Sequence, residues 1–328
     1  MTTRNKLLIE LKKSFGVTVS GEVLSSKLDI SRAAVSKHIS ILKKSGYEIQ
    51  SSPKKGYRLT ALTPLLLPDE ISEDIETAVF GRKDIFYYDI IDSTNNKAKE
   101  LAASGAPEGS IVIAEQQSAG RGRKGRSWLS STGEGLCISL ILRPSIPPTE
   151  ISKITLMTAV AVSEALLALT EIDIKIKWPN DILVNRKKLA GILTEMSMEV
   201  DAIDYVVVGL GLNVNSSISS FTDEVKDIAT SLKIETGNQY SRAQVVKLFL
   251  TWFEKLYFEV QKKGFHSIIK RWKELSNIIG KTVSVDEAGQ TLNGVVKDIA
   301  EDGTLILVDT NNQIQKIISG DVIIMDNF

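Results

Sequence analysis

Nine residues, Gly120–Trp128, read GRGRKGRSW. Three glycines, four cations and one indole in a single stretch predict a loop, and the residues on either side predict where it hangs. Ile111–Ala114 is short, apolar and β-branched, as a buried strand is, and Gly135–Leu142 reads as another. Glycine lets the backbone turn sharply and come close to a ligand with its N–H groups exposed. Arg121, Arg123 and Arg126 alternate with the glycines, and guanidinium groups match phosphate and carboxylate oxygens. Trp128 offers a flat face to a base or ring. A disordered Arg-Gly tract that binds RNA is the competing reading, and the flanking strands and short length oppose it. The spacing of Gly120, Gly122 and Gly125 imitates a dinucleotide-binding fingerprint, but no helical pattern follows.

Composition narrows the class. A chain of 328 residues holds two or three domains. Its single cysteine, Cys137, permits no internal disulfide, which fits a reducing, cytoplasmic setting. The amino terminus lacks a secretory pattern. The most apolar stretch, 151–169, is interrupted by Lys153 and Glu164 and predicts a core helix, not a membrane span. Two histidines, far apart in sequence, argue against a zinc site or a His-based triad. Residues 1–60 carry 12 Lys/Arg against 4 Asp/Glu, a net +8, and the remainder carries 28 against 36, a net −8. A basic module on an acidic body predicts a polyanion partner for that module alone.

Within that module, Leu7, Leu8 and Leu11 fall at helical spacing. Ser20 caps a second helix with Val23, Leu24 and Leu28 inward, and Ser31 caps a third from Arg32 to Lys44. Arg32, Ser36, Lys37, Ser40 and Lys43 lie on the outer face of the third. Two short strands joined by SSPKK follow. Helix, helix, turn, helix and basic hairpin is the order of a winged helix-turn-helix. Its third helix enters the major groove and Lys54 and Lys55 on the wing reach phosphates. Residues 61–70 carry two prolines and predict a linker.

Beyond it, Phe86–Ile90 predicts a strand, and Asp92–Asn95 a turn into a helix, where N-capping alone explains Ser93 and Thr94. Ile174–Trp178, Ile182–Val184 and Ile192–Met196 predict strands joined by short turns. Lys177, Asp181 and Lys188 are polar groups set in them, costly without partners. The strand Tyr205–Leu210 ends in Gly211-Leu212-Asn213, where glycine again permits close approach. Two helices follow, the first with an aromatic stripe of Phe249, Trp252, Phe253 and Tyr257. Short strands with turns then run from Lys281 onward, as in a β-barrel of SH3 size. The fold class is therefore α+β, in three domains: 1–62 winged helix-turn-helix, 63–277 mixed α/β core, 278–328 small β-barrel.

Taken together, AGRGRKGRSW (Ala119–Trp128), KWPNDI (Lys177–Ile182), KLAGIL (Lys188–Leu193), GLGLNVN (Gly209–Asn215) and DSTN (Asp92–Asn95) resemble biotin protein ligases of the bifunctional bacterial type, which also repress the biotin operon. The resemblance covers essentially the whole chain. It implies a core of the biotin/lipoate ligase type and a two-step reaction. Biotin and ATP, with Mg²⁺, give biotinyl-5′-AMP and pyrophosphate; a lysine of a biotin carboxyl carrier domain then displaces AMP. It implies biotin contacts at Ser93, Thr94, Asn95, Gln117, Arg121, Gly122, Arg123, Lys188, Gly209 and Gly211. It implies nucleotide contacts at Trp128, Lys177, Asn180, Arg126 and Asn213, and catalytic roles for Lys188, Arg123, Arg121 and Asp181. It implies operator DNA contacts at Ser31, Arg32, Ser36, Lys37, Ser40, Lys54 and Lys55, a homodimer on ligand or DNA binding, biotinyl-AMP as corepressor, and no membrane partner. The third helix departs from the family pattern at Ser36, where a bulky residue is expected.

The chemistry is consistent with that resemblance. A carboxylate and a triphosphate repel each other, and Lys188 with the loop arginines can neutralise them and stabilise the charge of the transition state. A biotin-sensing transcription factor without ligase activity is the alternative; the complete arginine loop and Lys188 oppose it. A lipoate-type ligase shares the core fold, and GRGRKGRSW with KWPND favours biotin.

Overall fold

The computed structural model describes residues 3–44, 46–53, 55–61, 65–199, 202–287 and 289–325. Lys54 lies outside them. The chain divides into two compact units, Met1–Asp74 and Ile75–Phe328.

In the first unit three helices, α1 (Thr3–Lys13), α2 (Gly21–Leu28) and α3 (Arg32–Lys44), precede the antiparallel hairpin of β1 (Glu48–Ser52) and β2 (Gly56–Ala61). Ser20 accepts from the Val23 N–H and Ser31 from the Ala34 N–H, so both predicted caps form. Leu7, Leu8, Leu11, Leu24, Val35, Ile39 and Leu42 build the core. Val23, predicted inward, is 45% exposed. A two-turn helix has room for one apolar stripe, and Leu24 holds it. Arg32, Ser36, Lys37 and Ser40 are exposed on α3, as are Ser31 at its cap and Lys55 on the wing.

Of residues 61–70, whose prolines predict a linker, 62–64 lie outside the described residues and the rest fold differently. Pro68–Ser72 form a short helix, α4, with Leu66, Leu67 and Ile71 buried. Asp69 pairs with Arg4, and Glu70 and Glu73 pair with Lys12, so apolar burial and charge together draw the segment onto α1.

The second unit is built on a seven-stranded sheet. In chain order its elements are β3 (Ile85–Ile91), α5 (Thr94–Ala103), β4 (Ile111–Gln117), β5 (Gly135–Leu142), α6 (Ser152–Leu167), β6 (Ile174–Lys177), β7 (Asp181–Val184), β8 (Lys187–Glu199) and β9 (Ala202–Asn213). The strand order is β3-β4-β5-β9-β8-β7-β6, with β3 and β4 parallel and every other pair antiparallel. After α7 (Leu232–Thr236), the helices α8 (Arg242–Lys263) and α9 (His266–Leu275) pack with α6. Phe249, Phe253 and Tyr257 are buried, whereas Trp252 is only partly so.

Alternation along β9 sets the two faces. Tyr205 and Val207 pack against Ala98 and Ala102 of α5. Val206, Val208, Leu210 and Leu212 point to the other face and are buried there, where Thr155 of α6 reaches Thr194, the partner of Val208. On the α5 face the next two residues are Gly209 and Gly211, and Gly211 pairs with Gly191 of β8. Three glycines therefore leave the sheet bare just beyond the start of α5.

Five strands, β10 (Thr282–Glu287), β11 (Gln290–Ile299), β12 (Leu305–Asp309), β13 (Ile314–Ile317) and β14 (Asp321–Ile324), form an antiparallel sheet in the order β13-β12-β11-β10-β14. Two contacts anchor its β11–β12 turn to the core: the Trp178 indole donates to the Gly303 carbonyl at 3.1 Å, and buried Lys153 donates to the Glu301 carbonyl at 3.1 Å. Among the described residues no helix is long and apolar enough to cross a membrane.

Candidate active site

The bare patch floors the inner of two adjoining cavities. The inner one is lined by Ser93, Thr94, Asn95, Gln117, Arg121, Gly122, Arg123, Asn180, Gly209 and Gly211, among others. The outer one adds Lys177, Arg186, Asn213 and an apolar wall of Leu129, Phe221, Val225 and Ile228. Arg126, Trp128, Asp181 and Lys188 line both and stand at the junction. All the residues expected from the sequence in biotin, nucleotide or catalytic roles thus line one or other of these adjoining cavities.

The inner end is a buried polar network. Ser93 caps α5, and Thr94 and Asn95 begin it, all three almost fully buried. Gln117 Oε1 accepts from the Thr94 N–H at 2.7 Å and from its hydroxyl at 3.0 Å. Ser139 donates to Asn95 Oδ1 at 2.6 Å, and Asn95 Nδ2 donates to the Leu193 carbonyl and, at 2.9 Å, to Glu195. A Cβ on Gly209 would lie 2.1 Å from Asn95 Oδ1. Glycine at 209 is therefore what admits Asn95 to its seat. Glu195 also holds Lys99 at 2.7 Å and lies 3.6 Å from Arg121. Burial alone would raise the Glu195 carboxyl, but hydrogen bonds from Lys99 and Asn95, with the charges of Lys99 and Arg121, outweigh it and hold the group below its ordinary value.

The arginine loop is a hairpin. Gly122 N–H donates to the Arg126 carbonyl at 2.7 Å and Trp128 N–H to the Gly120 carbonyl at 2.8 Å. Lys124 and Gly125 take left-handed backbone at the tip, with φ 54° and 74°. Its cations are held by named partners. Arg121 donates to Asn96 Oδ1 at 2.9 Å, and Arg123 to Asn180 Oδ1 at 3.3 Å and to the Gly320 carbonyl at 3.2 Å. Lys124 pairs with Asp286 at 3.1 Å, and Arg126 pairs with Asp321. Burial, the largest influence on Arg123, lowers its guanidinium below the usual value despite Asp321 and Asp181 nearby. Asp286 and Asp321 belong to the C-terminal sheet and Gly320 immediately precedes its last strand, so this domain contributes directly to the site. No sequence signal pointed to them, because the contacts span up to 197 residues.

At the junction Lys188 Nζ lies 2.6 Å from Asp181 Oδ1, and Lys177 Nζ lies 3.6 Å from Oδ2. One carboxylate set between two cations on adjacent strands answers the polar groups that stood out in apolar strand patterns. The Lys188 ammonium is also 5.8 Å from the Trp128 ring, in cation–π range. Asn180 donates to the Ile192 carbonyl at 2.9 Å, and Asn213 to the Thr230 carbonyl at 2.9 Å. Both amides therefore hold backbone in place as well as lining cavities.

Comparison with known proteins agrees with this arrangement. Residues 87–213 match the biotin/lipoate A/B protein ligase family, residues 3–58 an HTH domain, and residues 278–325 the biotin protein ligase C-terminal domain. The chain is 43% identical over 322 residues to the bifunctional ligase/repressor BirA of Bacillus spizizenii, covering 98% of each. It belongs to the biotin protein ligase family. BirA of Escherichia coli is 28% identical, over 88% of this chain and 87% of that protein. Among solved structures, the biotin protein ligase of Aquifex aeolicus in complex with biotin and ATP superposes with a TM-score of 0.66 at 29% identity. That match covers 75% of this chain and 100% of the other.

Proposed function

We propose that this protein is an ATP-dependent biotin protein ligase that also represses transcription of the biotin operon. The observation that carries the ligase reading is the junction: Lys188 and Asp181 stand where a polar, hydrogen-bonded cavity meets a larger one with cations on one side and apolar side chains on the other. The inner cavity suits a small ligand with a polar ring and a carboxylate, and the outer one a nucleoside triphosphate.

In the first step a carboxylate oxygen of biotin attacks the α-phosphorus of ATP. The bond to the β-phosphate oxygen breaks, and pyrophosphate leaves with the electron pair. A carboxylate is already ionised, so no general base is required. Lys188 bridges the two anions, Arg121 and Arg123 add positive charge from the loop, and Asn180 and Trp128 hold the nucleotide. Mg²⁺ accompanies the triphosphate and offsets its charge. It would be held chiefly by the phosphate oxygens, since the Asp181 carboxylate is paired with Lys188 and Lys177. In the second step a carrier-domain lysine attacks the carbonyl carbon of biotinyl-5′-AMP. AMP leaves, and Asp181 assists loss of the amine proton. The arginine hairpin excludes water from the reactive anhydride meanwhile.

The exposed, cationic face of α3, with Lys55 on the wing, is the operator-binding surface, and Lys54 is assigned there with it. Biotinyl-AMP acts as corepressor by favouring a cytoplasmic homodimer that sets two winged helices on one operator. Biotin-dependent exchange of label between pyrophosphate and ATP tests the first step. The reading predicts exchange that requires biotin and Mg²⁺, and absence of exchange by protein that binds biotin would refute it.

A further inference from the structure

Glu195 is a carboxylate whose two oxygens face different partners. Leu193 pairs with Gly209 and Glu195 with Val207, which packs against α5, so both residues lie on the α5 face of β8. Glu195 Oε1 lies 2.7 Å from the Lys99 ammonium and 3.6 Å from Arg121. Oε2 accepts from Asn95 Nδ2 at 2.9 Å. Asn95 lines the inner cavity and Glu195 does not. A charge on a packed face needs partners; this one has cations on one side and an amide of the site on the other.

That amide has two possible orientations of nearly the same shape, one end accepting and the other donating. Ser139 Oγ lies 2.6 Å from the Asn95 oxygen, but a hydroxyl both donates and accepts and suits either orientation. The Leu193 carbonyl, 3.2 Å from Nδ2, and Glu195 Oε2 only accept. Together they take both hydrogens of the Asn95 nitrogen. The oxygen is then the end that lies over Gly209, where a Cβ would be 2.1 Å from Oδ1 and 3.1 Å from Nδ2. Gly209 also lines the inner cavity. Oδ1 receives one hydrogen from Ser139 and keeps a second lone pair. What this amide offers a ligand is therefore an acceptor and not a donor.

We propose that Glu195 is a positioning residue for biotin: it holds the Asn95 oxygen as the acceptor of one ring N–H, and so makes the site select a ring nitrogen that carries hydrogen. The proposal rests on the ligase reading above. A carboxylate is required, and not merely a polar group of its size. Glutamine has a single side-chain oxygen, and Lys99 and Arg121 claim it. Its NH2 then turns onto the NH2 of Asn95. Asn95 meets an acceptor at Leu193 and a donor at position 195, and neither orientation satisfies both.

The test uses full-length wild type, Glu195→Gln, and Glu195→Gln combined with Lys99→Met. It measures the Kd of biotin and of two analogues in which one or the other ring N–H is replaced by oxygen, with thermal unfolding alongside. Wild type binds one of the two analogues at least about tenfold more weakly than biotin, because oxygen there meets oxygen. In Glu195→Gln the Kd of biotin rises about tenfold, as for loss of a charge-assisted hydrogen bond. The Kd of that analogue and the KM for ATP stay within about twofold. Adding Lys99→Met frees the glutamine oxygen to face Asn95 and recovers part of the loss. An unchanged Kd of biotin in folded Glu195→Gln would overturn the proposal. An equal rise for biotin and both analogues would do the same, since general loosening or a shift of Arg121 acts on all three ligands alike. Wild type that binds both analogues as tightly as biotin would overturn it without any variant. Wild type that binds no biotin would remove the ligase reading and this proposal together; normal wild-type binding with either of the other results would remove only this one.

Discussion

A Cβ on Gly211 would lie 2.3 Å from Cε2 of Trp128. The indole rests on bare strand backbone, and Gly191 on the neighbouring strand leaves the adjoining space, its own Cβ position lying 3.3 Å from Cζ3. Gly211→Ala must therefore displace the ring at the junction of the two cavities. We expect kcat/KM for ATP to fall by about 10–100-fold, with a loss of stability of about 1–3 kcal/mol from overpacking. Gly191→Ala, whose nearest neighbours include the flexible end of Lys188, has a smaller effect. Steady-state adenylation and urea unfolding of the two variants check the order.

The Lys188 side chain is 36% exposed and its charge faces Asp181, so removing it threatens chemistry more than folding. Lys188→Ala is expected to lower kcat/KM for biotinyl-AMP synthesis by at least about 100-fold. Its unfolding midpoint should stay close to that of wild type, as circular dichroism on the same samples would record.

The loop cations rest on Asp286 and Asp321 in exposed pairs. Such solvent-screened pairs contribute little to stability. The double variant Asp286→Asn with Asp321→Asn therefore changes global stability little. Its hairpin opens more often, and trypsin cuts between Arg121 and Arg126 faster. Equal cleavage rates would show that the backbone hydrogen bonds of the hairpin suffice.

Glu195 carries a pH signature. Its folded-state carboxyl is held below its ordinary value of 4.5, so the ionised form stabilises the fold above that pH, and the contribution is lost as pH falls through the folded value. The stability gap between wild type and Glu195→Gln should be flat from neutral pH down to about 4.5 and shrink below it. Chemical unfolding at a series of pH values measures the gap directly.

Much of this site was legible in the sequence, for physical reasons. Gly209-Leu210-Gly211-Leu212 alternates bare and apolar positions at the period of a strand, which marks one face for packing and the other for close approach. Asn95 and Trp128 as the groups that approach were not legible, since nothing local encodes a contact across the fold. Lys177, Asp181 and Lys188 stood out because a charge in an apolar strand needs a partner, and they partner one another. Asp286, Asp321 and Glu195 were missed: acidic residues in polar surroundings carry no pattern. Glu115 and Arg242 were missed too, a fully buried pair at 2.7 Å joining β4 to the start of α8. From residue 65 onward the expected linker is instead packed chain with a short helix, because prolines forbid helix interiors but suit a first turn, where Pro68 sits.

That buried pair gives another expectation. Arg242 also donates to the Gly135 carbonyl at 2.9 Å, so it braces the strand that follows the arginine loop. Arg242→Met removes one member of a buried pair and should cost about 3–5 kcal/mol, read as a lower denaturation midpoint.

Biotin and ATP are proposed to meet where the two adjoining cavities share Lys188 and Asp181, with biotin passing from there to a carrier lysine. The most direct measurement is the mass of a purified carrier domain after incubation with this protein, biotin, ATP and Mg²⁺. The account predicts a gain of one biotin on a single lysine, lost when Lys188→Ala replaces the wild type. An unchanged carrier mass, from wild-type protein that still binds biotin, would contradict it.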